Sequence, residues 1–354
     1  MPDMNNKAFK ALCDDLQRHR IVTAEELRLA GADDDAIKRA KSNGSLQAIP
    51  GVRGLYVVGK QAYDEFVLMH GASRHAGEGA VITGIWATRL LKMRWIPEAG
   101  ACMVRIPAAR HRRGSEGYVT VCRTASHERL DTWEHKGLLV AQPALAVVDA
   151  CRQVPSDPAT RSPRRPEREL QAVRGIVLGA VADKRCTLGQ LEGVLSQGSI
   201  RWTAHTRRAL TDAARGAASP PEAELVDGML PYGVPFYCNV EVWRGDELLG
   251  VLDLYLVGTA TGGEMDSKER HSGELLDLTF VRDDTFEDVG IHLRHIAPTR
   301  YRADPEAFHR LLLRVAAKRL ADGHRDPEGL RFVPRGPLLC GPVSGRTPYL
   351  LRAA

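Results

Sequence analysis

No apolar stretch of the 354-residue chain is long enough to cross a bilayer. The most apolar window, GLLVAQPALAVVDA, is broken by Gln142 and Pro143 and falls short of the roughly 20 residues a membrane helix needs. The opening MPDMNNKAFKALCDDLQRHR carries no apolar segment of the secretory kind, so the expectation is a cytoplasmic protein with no membrane partner. CxxC pairs and His-paired zinc spacings are also missing. Cys13, Cys102, Cys122, Cys151, Cys186, Cys238 and Cys340 are scattered, which excludes a zinc-finger or thioredoxin-like reading and leaves reduced thiols. GTATGG at 258–263 lacks the Gly-Lys-Ser/Thr of a phosphate-binding loop and reads as a turn. A strong charge imbalance is lacking too. The net charge of +5 permits a polyanionic partner without demanding one.

What charge there is falls in clusters. RIPAARHRR carries Arg105, Arg110, Arg112 and Arg113 with no acid, and RSPRRPER at 161–168 has four arginines against one glutamate. Such runs are often solvated surface, yet two in one chain tilt toward phosphate contacts. At the front, Phe9, Leu12, Cys13 and Leu16 fall at helical spacing. TAEEL then supplies a capping box from Thr23 and Glu26. AGADDDAIKRAKSNG gives a third helix with acids at its start, basics at its end and Asn43-Gly44 as its stop. LQAIPGVRGLYVVG reads as two short strands about a Pro-Gly turn.

Three helices and a basic two-stranded wing form the layout of a winged helix-turn-helix. Lys38, Arg39 and Lys41 lie on the helix such a module offers to DNA, and Arg53 lies at the wing tip. Asp33, Asp34 and Asp35 oppose that reading, because they sit where the helix approaches the bases. The bland alternative is a helical module that packs on a neighbour.

The remaining chain divides by pattern. The winged helix takes 1–60, an α+β middle domain 61–152, and a Pro/Arg/Ser-rich linker 153–168. A helical part of the middle domain follows at 169–218, then an α/β sandwich at 219–322 and an extended tail at 323–354. The expected class is α+β multidomain. Within the sandwich the order is helix, three-stranded meander, helix, strand, helix.

The stretch GVLDLYLVGTATGGEMDSKERH places an acid inside an apolar strand and two more on the next one. With a period of two, Leu252, Leu254 and Leu256 share one face while Asp253 takes the other. Glu264 and Asp266 share a face, opposite Met265. If Met265 joins the leucines, Asp253, Glu264 and Asp266 converge, and Glu222 on the preceding helix can approach them. Buried carboxylates need compensation. Oxygen ligands of this kind suit Mg²⁺, which can activate water for phosphodiester cleavage. Lys268 or His271 would offset charge or move a proton. The plain alternative is a set of turn-flanking acids.

SPPEAEL, GVLDLYL, GGEMDSKERH and RDDTFEDVGIHLRHI resemble the restriction-endonuclease-like fold in its very-short-patch-repair-like branch. That resemblance puts Glu222, Asp253, Glu264 and Asp266 on the family's catalytic positions, the last three as metal ligands, and implies an endonuclease site. RIVTAEELRLAGADDDAIKRAKSNGSLQAIPGVRGLYVV is similar to the winged-helix start of AbiEi-family antitoxins of actinobacterial type, and 81–218 follows their middle domain. It implies DNA binding, transcriptional regulation and a nucleotidyltransferase-like toxin as partner. The chain departs from the nuclease pattern at Ser267, where a glycine is usual, at Ile291, where a tryptophan is usual, and in the displaced lysine. Three readings follow: a DNA-binding regulator, a Mg²⁺-dependent endonuclease in repair or phage defence, or a pseudo-nuclease interaction module.

Overall fold

In the computed structural model the described residues are 21–49, 51–59, 64–98, 100–110, 115–125, 130–154, 165–198, 201, 203–266 and 274–340. The chain forms two compact units, Met1–Ala172 with Arg185–Thr203 and Val173–Lys184 with Ala204–Ala354. The mixed α+β class expected from the sequence holds in both. The first expected helix, around residues 9–16, lies outside the described residues.

The first unit opens with β1 (Ile21–Thr23), α1 (Ala24–Leu29), α2 (Asp34–Ser42), β2 (Leu46–Ala48) and β3 (Leu55–Val58). Thr23 caps α1 reciprocally. Its hydroxyl accepts from the Glu26 N–H at 3.1 Å, and Glu26 accepts from the Thr23 N–H at 2.8 Å. Asp33 caps α2 through the Ala36 N–H at 2.6 Å. The strands form an antiparallel sheet ordered β1-β3-β2. Val22, Leu27, Ile37, Ala40 and Leu46 make the small core beneath α1 and α2. Strand β1 has only three residues, too few for alternation to reveal it.

The unit continues with α3 (Glu65–Ala76), β4 (Val81–Thr83), α4 (Gly84–Leu90), β5 (Cys102–Pro107), β6 (Ser115–Glu116), β7 (Val119–Thr124), β8 (Thr132–His135), β9 (Leu138–Ala141) and α5 (Pro143–Gln153). Its six strands are ordered β6-β7-β5-β4-β9-β8. Ile49, Val52, Leu55 and Val57 share one apolar cluster with Met69, Val104 and Val119. The boundary expected at residue 60 is therefore no break in the core. Two glycines also meet across it. Gly51 and Gly117 both hold positive φ, and a Cβ on Gly51 would lie 2.7 Å from the Gly117 Cα. Gly117→Ala is expected to push the 49–54 turn off this sheet and destabilise the unit by roughly 1–3 kcal/mol. Faster amide exchange at Val52 and Leu55 would register it, and unchanged exchange would refute it.

Helix α6 (Arg165–Ala182) carries the chain into the second unit, and α7 (Leu188–Gln197) belongs to the first. The second unit then holds α8 (Ala204–Ala214), α9 (Pro220–Met229), β10 (Phe236–Arg244), β11 (Glu247–Leu256) and β12 (Thr261–Met265). After them come α10 (Glu274–Asp288), β13 (His292–Ile296), α11 (Pro298–Ala303), α12 (Pro305–Ala321) and β14 (Leu330–Pro334). The sheet runs β13-β12-β11-β10-β14. Strand β13 pairs parallel to β12, with α10 as the crossover between them.

Within the expected extended tail, strand β14 pairs with β10 at the edge of this sheet. Phe332 stacks on Tyr255 with ring centroids 4.5 Å apart. Asp326 accepts from the Tyr255 hydroxyl at 2.6 Å and from the Gly258 N–H at 2.9 Å. Residues 341–354 lie outside the described part.

Candidate functional site

On α2 the buried residues Ile37 and Ala40 face the core, which leaves Lys38, Arg39 and Lys41 exposed on the outer side. Arg53 is exposed on the β2–β3 hairpin. Lys38, Arg39, Ser42 and Asn43 line a shallow hollow at the C-terminal end of the helix. Lys41 Nζ stands 6.0 Å from the centre of the Tyr56 ring, at the outer reach of a cation–π contact. Two of the three aspartates that opposed DNA contact have local work. Asp33 is the helix cap, and Asp34 pairs with Arg28 at 2.9 Å. The outer face is thus less acidic in effect than its composition suggests.

The arginine run at 105–113 splits. Arg105 is no surface cation. Its guanidinium clasps the buried Asp149 with two bonds of 2.6 Å. Burial alone would pull its pKa down, but the hydrogen bond and the charge of Asp149 prevail and raise it. Arg110 stands half-exposed, 3.7 Å from Glu78. Arg112 and Arg113 lie outside the described residues.

In the second unit β11 and β12 stay in register from Leu256↔Thr261 to Leu254↔Gly263. Beyond that point carboxylates bridge the strands. The Asp253 N–H donates to Glu264 Oε1 at 3.2 Å, and the Met265 N–H donates to Asp253 Oδ2 at 2.7 Å. Asp253, Glu264 and Asp266 are 7%, 0% and 8% exposed. Met265 joins Leu254 and Leu256 in one apolar cluster, as the alternation requires, and Asp253, Glu264 and the adjoining Asp266 make up a carboxylate fork at this end of the hairpin.

Leu252 does not follow the alternation. It packs with Tyr255, Phe286 and Leu293 in the other cluster. The irregularity sits across the ladder at Asn239, whose φ is +50°. That turn swings the Asn239 amide onto the Gly216 carbonyl at 3.0 Å and onto Glu222. Glu222 is thereby engaged by strand β10. It also accepts from the Ala218 N–H at 2.8 Å and the Ser219 hydroxyl at 2.6 Å. It acts as a cap of α9.

The compensating charges come from α10 and β13. Arg282 Nη2 lies 3.2 Å from Glu264 Oε2 and 3.3 Å from Asp283 Oδ1. His295 Nδ1 lies 3.0 and 3.2 Å from the two oxygens of Asp266, and its Nε2 lies 3.1 Å from Asp283. Burial opposes the charge on Arg282, but Glu264, Asp283 and Asp253 raise its pKa. The bond to Asp266 raises that of His295 despite burial. Lys268 and His271 lie outside the described residues.

Sequence reasoning gave no role to Arg282 or Asp283, and it set His295 aside as a poor co-ligand for His292. A signal existed for the first: Arg282 stands four positions before Phe286, which puts it on the core-facing stripe of the helix. In this arrangement the fork is matched by main-chain amides, a guanidinium and an imidazole. Among the described residues no group of three or more His, Cys, Asp or Glu side chains is arranged to hold a metal ion. The donor set as it stands suits protein cations better than Mg²⁺.

No family model matches the chain, and no curated protein matches it. The crystal structure of the RV2827C protein from Mycobacterium tuberculosis is similar at 22% identity and a TM-score of 0.41, over 63% of this chain and 80% of that one. At that score the likeness says nothing of what this chain binds.

Proposed function

We propose that the chain is a DNA-binding protein of the regulator type, whose first unit docks duplex DNA through α2 and the β2–β3 hairpin. In this reading residues 21–59 are a winged helix-turn-helix, and the second unit is a nuclease-like sandwich. The two helices with the β1-β3-β2 sheet support the reading, together with Lys38, Arg39 and Lys41 exposed on α2 and Arg53 exposed on the hairpin. The regulator role and a nucleotidyltransferase-like toxin as partner rest on the sequence resemblance. The acids at the start of α2 and the bases toward its end favour an approach by the C-terminal half of the helix and the wing. Phosphate contacts then supply most of the affinity.

Replacing Lys38, Arg39 and Lys41 by Ala is expected to weaken retention of a random-sequence duplex and of the DNA upstream of the gene. Each lost phosphate contact should lower the slope of log affinity against log salt by about 0.9. Fluorescence anisotropy at several salt concentrations reads both, and binding with an unchanged slope would remove α2 from the interface. Cleavage is the alternative. It requires a divalent ion at acids that here hold Arg282, His295 and main-chain amides.

A further inference from the structure

We propose that Arg282 is the resident counter-cation of the carboxylate fork. While it is seated the second unit takes no divalent ion there, and the fork acquires affinity for one only when Arg282 is removed. The arginine is built into its seat. Phe286, one turn further along α10, is 0% exposed and packs with Leu252, Tyr255 and Leu293, which fixes the helix against the sheet. Gly250 on β11 permits that approach: a Cβ there would lie 2.9 Å from Phe286 Cζ and 3.4 Å from Arg282 Cδ. The guanidinium is thereby delivered to Glu264, whose side chain is wholly buried and whose other oxygen takes the Asp253 N–H.

A guanidinium and a divalent cation compete for this place. Both carry positive charge, and each satisfies the same carboxylate oxygens. A divalent ion gains the fork only by expelling a side chain that the helix packing holds in place. DNA docking by the first unit is a separate claim, and the test below contains no DNA.

The full chain is titrated with Mn²⁺ and free ion is followed by electron paramagnetic resonance. Wild type is expected to show no saturable site. Arg282→Ala is expected to gain one Mn²⁺ per chain, and Glu264→Gln in that background is expected to abolish it. A saturable site in wild type that Glu264→Gln removes would overturn the proposal, as would a folded Arg282→Ala variant that binds nothing. Should Arg282→Ala unfold, the Arg282→Ala/Glu264→Gln pair decides. A midpoint recovered toward wild type supports the ion pair as the fork's compensation, and a midpoint no higher than that of Arg282→Ala alone overturns it.

Discussion

Asp149→Ala is expected to destabilise the first unit by about 3–5 kcal/mol, the range for breaking a buried ion pair from one side. Asp149 is 1% exposed and stands on α5, one helical turn before Gln153. Its carboxylate accepts two bonds from Arg105 at 2.6 Å, one from the Thr83 hydroxyl at 2.8 Å and one from Arg152 at 3.4 Å. Gln153 ties the same helix to the Ile85 N–H at 2.7 Å and the Ala101 carbonyl at 2.9 Å.

Removing the carboxylate leaves the largely buried Arg105 guanidinium without its anion. For a unit of this size each kcal/mol moves the midpoint by roughly 2–4 °C, so the loss is readable by calorimetry. Charge rather than contact area carries the effect. Arg105→Met with Asp149→Leu should therefore recover most of it, since apolar replacements of whole buried pairs are often neutral or better. A loss below about 1 kcal/mol in the single variant would mean that the pair does not organise this face of the sheet.

Arg105 also marks where the sequence stops being readable. Its strand alternates, with Val104 and Ile106 buried on either side, and alternation alone assigns Arg105 to the opposite face. Whether that face meets water or a buried acid depends on Asp149, which leaves no local trace near residue 105. The basic run thus joined a structural arginine, Arg105, to the half-exposed Arg110.

Caps were legible for the contrary reason. Thr23 with Glu26 and Ser219 with Glu222 are contacts three residues apart, and chemistry that short is written in the chain. The carboxylate fork lies between these cases. Period-two reasoning placed Met265 with Leu254 and Leu256, yet it missed the reversal at Leu252, which lies across the ladder from Asn239 at positive φ. It also assigned compensation to an ion when Arg282 was available one crossover helix away. Continuity of the core through residue 60 was invisible, because apolar contacts between segments carry no spacing signal.

That continuity bears on function. A winged helix on a loose tether could search DNA independently of its neighbour. Here the hairpin residues Ile49, Val52 and Leu55 are part of the larger sheet's core. The exposed Arg53 is consequently held at a fixed position relative to β5 and β7, and the 105–110 segment belongs to the same body. If α2 docks DNA as proposed, the interface is bounded by that sheet, and its footprint on the duplex is expected to be short and rigid.

The second unit is expected to lose about 3 kcal/mol of stability on acidification between pH ~6.5 and ~4 through one residue, His309. Its ring is 2% exposed on α12, with Nε2 2.9 Å from the Tyr301 hydroxyl, which itself donates to the Glu224 carbonyl at 3.1 Å. Gly228 on α9 closes the cage: a Cβ there would lie 2.7 Å from both His309 Nε2 and the Tyr301 hydroxyl. Burial pushes the imidazole down from 6.5 to about 4, with Glu306 opposing that and Arg310 adding to it. The sign follows from which state binds the proton. Below pH ~6.5 the unfolded chain takes it and the folded one does not. Stability is therefore full above that pH, falls as pH drops, and levels off below ~4. About 2 kcal/mol should already be gone at pH ~5, at roughly 1.4 kcal/mol per pH unit. Urea unfolding of wild type and His309→Asn at pH 7 and pH 5 isolates the contribution, because every other ionisation is common to both. The variant should be less stable at pH 7 and much closer to wild type at pH 5. Parallel losses in the two proteins would mean that the cage admits a proton, and the tight packing of α9, α11 and α12 around that ring would then not govern its charge.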